Sequence, residues 1–473
     1  MLVFGYTDLE PDRPVCESYS LRRAIMIYYV LDHGAVGDGL HNDTSGIQAA
    51  VDACHNAGGG RVVLSKDHIF RSGTIILKSN VDFHIEEGAT LLASDIINDF
   101  NAFSDIDHST QEISVPTYEN CDYQGCPSLF FLYAKDETNI TVSGKGIIDG
   151  NEEIFYGTIT PYHIDGSFYP RVPLMFFEHI DNLTIKDVTL QRSAFWTIHP
   201  IGCSNINISN IVINNNLKLA NCDGIDPDHC KNVTISNCNI TSADDCIVFK
   251  NTNYGSAYGA CENITVNNCK LISTSAAIKI GTESEDDFRN ILIRNCIINK
   301  SNRGISLQLR DSGNIENIHF ENINIDCRLF SQQHWWGDGE PIAITAVKRN
   351  KTTKIGHIRN VSFDNISCVS ENGILIYGDS SKNISDVSIK GLKMKIVEKT
   401  GEKRNSKDLR PCEETPTVPA KPSCFYSCNT ERITVDSFEL DINNDLAELF
   451  KPYVVTHDCS ITDMNLKMKG GEE

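Results

Sequence analysis

A chain of 473 residues is long enough for two or three ordinary domains or for one elongated repeat domain. Its 40% hydrophobic content supports a substantial core, and a charged fraction of 22% argues against disorder. The net charge of −21 excludes nucleic-acid binding through a basic face, and an anionic partner would have to be held by local cations.

No run approaches the roughly eighteen apolar residues of a membrane span, so no membrane partner is expected. Arg22-Arg23 followed by Ala24-Ile25-Met26-Ile27-Tyr28-Tyr29-Val30-Leu31 has the charge order of a signal peptide. It lacks a small-residue cleavage site and runs straight into fold-like sequence, so a strand is expected there. The implied location is cytoplasmic, with export by another route left open. The eighteen cysteines recur at fixed offsets. Cys203, Cys230 and Cys261 each stand two residues before an asparagine, and Cys238, Cys269 and Cys296 each follow one by six. That regularity predicts reduced core thiols stacked in ladders, not a disulfide framework.

In chain order, His33-Gly34-Ala35-Val36-Gly37-Asp38-Gly39 leads to Asp43-Thr44, an N-cap for an amphipathic helix. Ile47, Ala50, Val51 and Cys54 supply its apolar face, and Gly58-Gly59-Gly60 ends it. The glycine-rich turn has no Gly-Lys-Ser/Thr ending and reads as structural. Short strands are expected at 61–64, 73–77, 81–85 and 89–93.

From residue 139 one phrase returns: an asparagine, then an alternating apolar strand. It begins at Asn182, Asn205, Asn232, Asn263, Asn290, Asn317 and Asn360, at intervals of 23, 27, 31, 27, 27 and 43 residues. Strand-only units of this period are too thin to bury a face alone and must stack as a solenoid. Many of these asparagines fall in Asn-x-Ser/Thr, which side chains stacking at a turn explain better than glycosylation. The solenoid is expected to be a single domain over 1–473. Its cap and first coils span about 28–95, its central coils about 137–395, and an insertion with the last coils about 396–473. Stretches near 95–136, 150–172, 327–340 and 396–430 break the repeat, and such insertions commonly build a binding face. The last carries Cys412, Cys424 and Cys428 at spacings unlike a zinc site and reads as an ordered loop.

A second strand follows each asparagine. Aligning these strands on isoleucine gives one internal ladder of Ile225, Ile247, Ile278, Ile305, Ile342 and Ile374. Two residues before each stand Asp223, Asp245, Ala276, Arg303, Glu340 and Asn372. Adjacent parallel strands lie about 4.8 Å apart, so Asp223 and Asp245 fall side by side with Asp244 beside them. Crowded carboxylates repel, which raises one pKa, and glycoside hydrolysis needs one protonated acid and one ionised base. Aspartates at turns also cap loops or hold an ion, so the register leaves both readings open.

Asn221-x-Asp223-Gly224-Ile225-Asp226, with Asp244-Asp245 beginning 21 residues after Asp223, resembles glycoside hydrolase family 28, the polygalacturonase family. So does Gly34-Ala-Val-Gly-Asp-Gly with Asp43-Thr44 and the triple glycine. The resemblance covers about residues 28 to 400 and implies an all-β, right-handed parallel β-helix with a short N-terminal capping helix and long loop insertions. It implies inverting hydrolysis of pectin-type saccharides, with Asp244 as general acid, Asp223 and Asp245 activating water, and no metal or cofactor. Two departures stand out: the family's active-site histidine falls on Ala276, and its Arg-Ile-Lys falls on Ser306-Leu307-Gln308. Both changes remove charge-assisted hydrogen bonds to a uronate. Lys279 and Arg303 are the cations expected to bind substrate in their place, with pairing to the acids as the alternative. Asn221, Gln308 and Trp336 of the Trp335-Trp336 pair are further expected contacts, while Trp196, His199 and His229 read as neighbours of the site. The insertions favour exo action. A polysaccharide lyase and a non-catalytic carbohydrate-binding β-helix are the rival readings.

Overall fold

A computed structural model describes residues 25–100, 129–164, 171–331 and 333–469. Arg22, Arg23, Ala24 and much of the insertion near 95–136 lie outside the described residues. Short strands pair in parallel from coil to coil, chiefly in one large sheet, and form a parallel β-helix. The isoleucine ladder runs as the spacing predicts. Ile198 pairs with Ile225, then Ile247, Ile278, Ile305 and Ile342 follow in register. Ala343 pairs with Leu375, so Ile342 and Ile374 continue the column. All these isoleucines are buried, as are the phenylalanines that stack between coils, such as Phe320 on Phe363 with centroids 4.8 Å apart. Each coil covers an apolar stripe that its neighbour alone would expose to water, which drives the stacking.

The repeated asparagines turn the chain. Asn232, Asn263, Asn290, Asn317 and Asn360 have φ between 54° and 60°, a left-handed conformation that asparagine tolerates better than most residues. Each amide donates to the asparagine one coil earlier, at 3.1–3.4 Å from Asn232 to Asn360. A second ladder links Asn210, Asn237 and Asn268. The cysteines of both expected columns are buried free thiols.

Thr44–Asn56 forms the capping helix and buries Ile47, Ala50, Val51 and Cys54. Asp43 precedes it, but its carboxylate does not cap it. That carboxylate accepts instead from Val36 and Gly37 of the glycine-rich turn, at 2.6 and 3.1 Å. Near the N-terminus, the expected 73–77 strand is reduced to Ile75–Ile76, and Ile69–Ser72 forms a strand the alternation did not reveal. A second helix, Asn444–Leu449, was also not expected; the Asn443 side chain caps it by accepting from the Leu446 N–H. Among the described residues no helix is long and apolar enough to cross a membrane.

The 396–430 insertion is ordered. Ser406–Asp408 and Thr417–Pro419 pair as an antiparallel hairpin, and Leu409 packs against Ala343, Val347, Leu375 and Tyr426 on the outside of the coils.

Candidate active site

Two consecutive coils bring the acids together. Gly224 donates its N–H to the Asp245 carbonyl at 2.8 Å, which sets the Asp223 and Asp245 rungs edge to edge. Glycine is required there, because a Cβ at 224 would lie 2.3 Å from the Cys246 carbonyl oxygen. One carboxylate oxygen from each of Asp223, Asp244 and Asp245 lies within 4.8 Å of the other two. The nearest oxygens are thus closer than the carboxyl separation of about 6.5–9.5 Å general for inverting enzymes.

The acids differ in surroundings. Asp245 is 1% exposed; its Oδ1 accepts from Ser275 Oγ at 3.0 Å and the Ala276 N–H at 3.1 Å, and its Oδ2 from Lys279 Nζ at 2.8 Å. Asp244 keeps partial contact with solvent and accepts from the Asn221 N–H at 3.1 Å. Burial, then the charge of Asp245, raises its carboxyl above the usual range. Asp223 is 2% exposed, and burial followed by the charges of Asp244 and Asp226 pushes it well above that range, against the pull of Lys250.

Lys250 is the residue that sequence reasoning undervalued. It is 4% exposed, with Nζ 3.3 Å from Glu283, 3.7 Å from Asp223 and 3.8 Å from Asp226, and it lies over the Trp196 ring at 4.2 Å. Burial alone would favour the neutral amine, but Glu283, Asp223 and Asp226 outweigh it and hold the ammonium well above the ordinary lysine range. Period-two alternation from inward Ile247 and Phe249 places Lys250 on the outer face, a signal the sequence did contain. Burial likewise opposes ionisation of Glu283, yet Lys250, Arg349 and Lys279 bring it down to about 2. Asp226, named in the motif without a role, is fully buried, and neither of its oxygens meets a hydrogen-bond donor among the described residues.

A cavity of about 150 Å³ opens over this cluster, with Trp196, Asn221, Lys250, Lys279, His334 and Trp336 among its walls. Asn221 sits at φ +61° and its side-chain oxygen accepts from buried Arg171 at 2.8 Å. Trp335 anchors the 327–340 loop: it is 4% exposed and donates Nε1–H to the Tyr162 carbonyl at 3.0 Å. Its neighbour Trp336 stays partly exposed at the cavity wall.

Two expected substrate contacts lie elsewhere. Arg303 is 2% exposed and does not line the cavity. Its guanidinium pairs with Glu340, the next acid in its own column, at 3.1 Å and donates to the Asp408 carbonyl at 2.8 Å. Gln308, also 2% exposed, donates to the Arg410 carbonyl at 3.4 Å. Both side chains clamp the 396–430 insertion onto the coils, so the reading of them as sugar ligands is corrected. Lys279 does face the cavity, but it is paired to Asp245. His199 is buried against Asp228 at 3.2 Å, and His229 bonds the Thr252 carbonyl at 2.8 Å, so both are packing residues.

Fold and site together define a parallel β-helix whose outer groove gathers three aspartates beside the partly exposed Trp336. The same architecture occurs in a hyperthermoactive exopolygalacturonase from Thermotoga maritima, with a TM-score of 0.62 and 18% identity over 94% of this chain and 92% of that one. It also occurs in the polygalacturonase of Erwinia carotovora ssp. carotovora, with a TM-score of 0.60 and 18% identity over 98% and 99% of the two chains. At these identities the likeness is one of fold. A Vitis vinifera protein named "Probable polygalacturonase" is 26% identical over 287 residues, which is 59% of this chain. The match spans a little over half, 56%, of that relative's length. The profile of the glycosyl hydrolases family 28 matches residues 103–412, and the chain belongs to this family.

Proposed function

We propose that the protein hydrolyses a glycosidic bond in a pectin-type saccharide with inversion at the anomeric carbon. The observation that carries this reading is the division of labour within one cluster. Asp244 is the one acid of the three that keeps contact with solvent at the cavity, whereas Asp223 and Asp245 are buried and both Asp245 oxygens are met by donors, as an acceptor-only carboxylate requires. Asp244 donates its proton to the leaving oxygen. Asp245 and Asp223 together orient one water and remove its proton as it attacks. Lys250 supports this by keeping positive charge beside Asp223. Membership of family 28 and the polygalacturonase names of its relatives support the substrate class.

A second reading, retention through a covalent intermediate, is favoured by the short oxygen separation alone. Against it, the donors on both Asp245 oxygens oppose its use as a nucleophile. Exo action is supported by the 327–340 loop and the 396–430 insertion, which stand together beside the cavity. The test is release of reducing ends from homogalacturonan and rhamnogalacturonan oligosaccharides by the wild type and by Asp244→Asn. Loss of at least about 100-fold in kcat in the variant is expected for a missing general acid. Equal activity in the two proteins, or none on any glycan, would sink the reading.

A further inference from the structure

A second cavity of about 730 Å³ adjoins the first and shares Glu283 and Trp336 with it; the 396–430 insertion supplies Arg410, Pro411, Cys412 and Glu413 to its wall. The two cavities form one continuous lining, and its charge balance bears on what it can hold. Four Lys and Arg side chains face it, and an acid engages each. Lys250 lies 3.3 Å from Glu283 and Lys279 2.8 Å from Asp245. Arg349 places Nε and Nη2 each 2.7 Å from the two oxygens of Asp311. Arg410 grips Asp408 through Nε at 3.0 Å and Nη2 at 2.7 Å. Both guanidinium forks are thus turned onto a carboxylate, the geometry in which arginine would otherwise receive a uronate. His334, the remaining wall side chain able to carry positive charge, stacks on His163.

The acids outnumber these cations. Asp244 in the first cavity and Glu285 and Glu413 in the second have no ion-pair partner among the described residues. Burial and the neighbouring Asp311 raise Glu285, against the pull of Arg349. The facing positions on the adjacent rungs add no further cation. Ala276 and Ser306 are neutral, and Arg303 is spent on Glu340. The uncharged wall carries Trp336, partly exposed between the cavities, whereas Trp196 is buried against Phe195 beneath Lys250. A ring such as Trp336 takes up the C–H face of a sugar without needing a charge on it.

We infer that the sugar residues seated in these two cavities are uncharged, being either neutral sugars or uronates masked as esters. This rests on the proposed hydrolase reading and specifies its substrate. A free uronate would bring a carboxylate to a lining already in acid excess, and no cation there could meet it without leaving a buried acid unpaired.

The test compares oligogalacturonides identical except for charge, one fully methyl-esterified and one de-esterified, with a rhamnose-terminated rhamnogalacturonan oligosaccharide as third arm. The wild type is assayed for kcat/KM, and binding to Asp244→Asn is measured by calorimetry. The free acid is expected to be at least about tenfold poorer than its ester in both measurements, the size of one unmet charged hydrogen bond. Preference for the rhamnose-terminated arm identifies a neutral sugar as the natural occupant, and preference for the ester identifies a masked uronate. Glu283→Gln should narrow the gap between ester and free acid, since it removes one negative charge from both cavities. Equal or better use of the free acid, or binding of none of the three, overturns the inference. Binding reads charge preference whether or not cleavage occurs, so a charge-selective but inactive protein would refute the hydrolase reading alone.

Discussion

Replacing Lys250 by Met deletes the cation that three acids share. Its Nζ lies 3.7 Å from Asp223 Oδ2. At the effective dielectric of about 20 that suits such sites, one pair at this distance is worth roughly 4–5 kcal/mol, or about three pKa units. That is a ceiling, because Asp226 and Glu283 lose the same cation and one of them can take up a proton instead. The sign is fixed: without Lys250, Asp223 becomes harder to ionise, and a base that must be ionised then works only at higher pH. The acid limb of the kcat/KM profile should therefore move up by about one to three pH units. Lys250→Arg should return it toward the wild-type position. Thermal unfolding measured alongside will register the cost of leaving buried acids unpaired, about 3–5 kcal/mol. An unshifted acid limb, with activity lowered equally at every pH, would mean that Lys250 only fills space and would refute the electrostatic argument.

Arg303→Met should destabilise the protein by about 3–5 kcal/mol, because Glu340 is left buried without its cation, while KM for a cleaved oligosaccharide stays within about twofold; urea unfolding and steady-state kinetics check both. Asp244→Asn should raise the melting temperature increasingly as pH rises, since it removes the acid whose ionisation beside Asp245 is unfavourable, at a gain of about 1 kcal/mol, even as it abolishes turnover. Glu283 is held near 2 when folded against 4.5 ordinarily, so its contribution, about 3 kcal/mol, is present above pH 4.5 and lost as pH falls toward 2. Unfolding free energies of the wild type and Glu283→Gln should therefore converge between those pH values. A constant difference would contradict the ion-pair assignment.

What the sequence disclosed and what it hid follow from the solenoid itself. Stacking in register makes each coil report on the next, so the isoleucine column alone was enough to set Asp223 beside Asp245, and the family resemblance then marked Ala276 and Ser306 as standing where family cations would. The asparagine turns were equally legible, since one residue type recurs where the backbone needs a left-handed conformation. The insertions broke that logic. Arg303 stood correctly in its column, yet one of its partners is Asp408, 105 residues away in a hairpin that no repeat places. The same insertion took Gln308, and only the contact of Trp335 with Tyr162 separates a loop anchor from the neighbouring Trp336 at the cavity wall. Asp43 capped its helix by position but gave its carboxylate to a turn, because two unpaired N–H groups of the glycine loop were closer to hand.

The central claim is that Asp244 protonates the leaving group while Asp223 and Asp245 together activate water. Proton NMR of the first turnovers on a cleaved pectic oligosaccharide, recorded before the product mutarotates, tests it directly. The product should appear with the anomeric configuration opposite to that of the bond cleaved. Initial release of the retained anomer would make one of these aspartates a nucleophile and contradict the account.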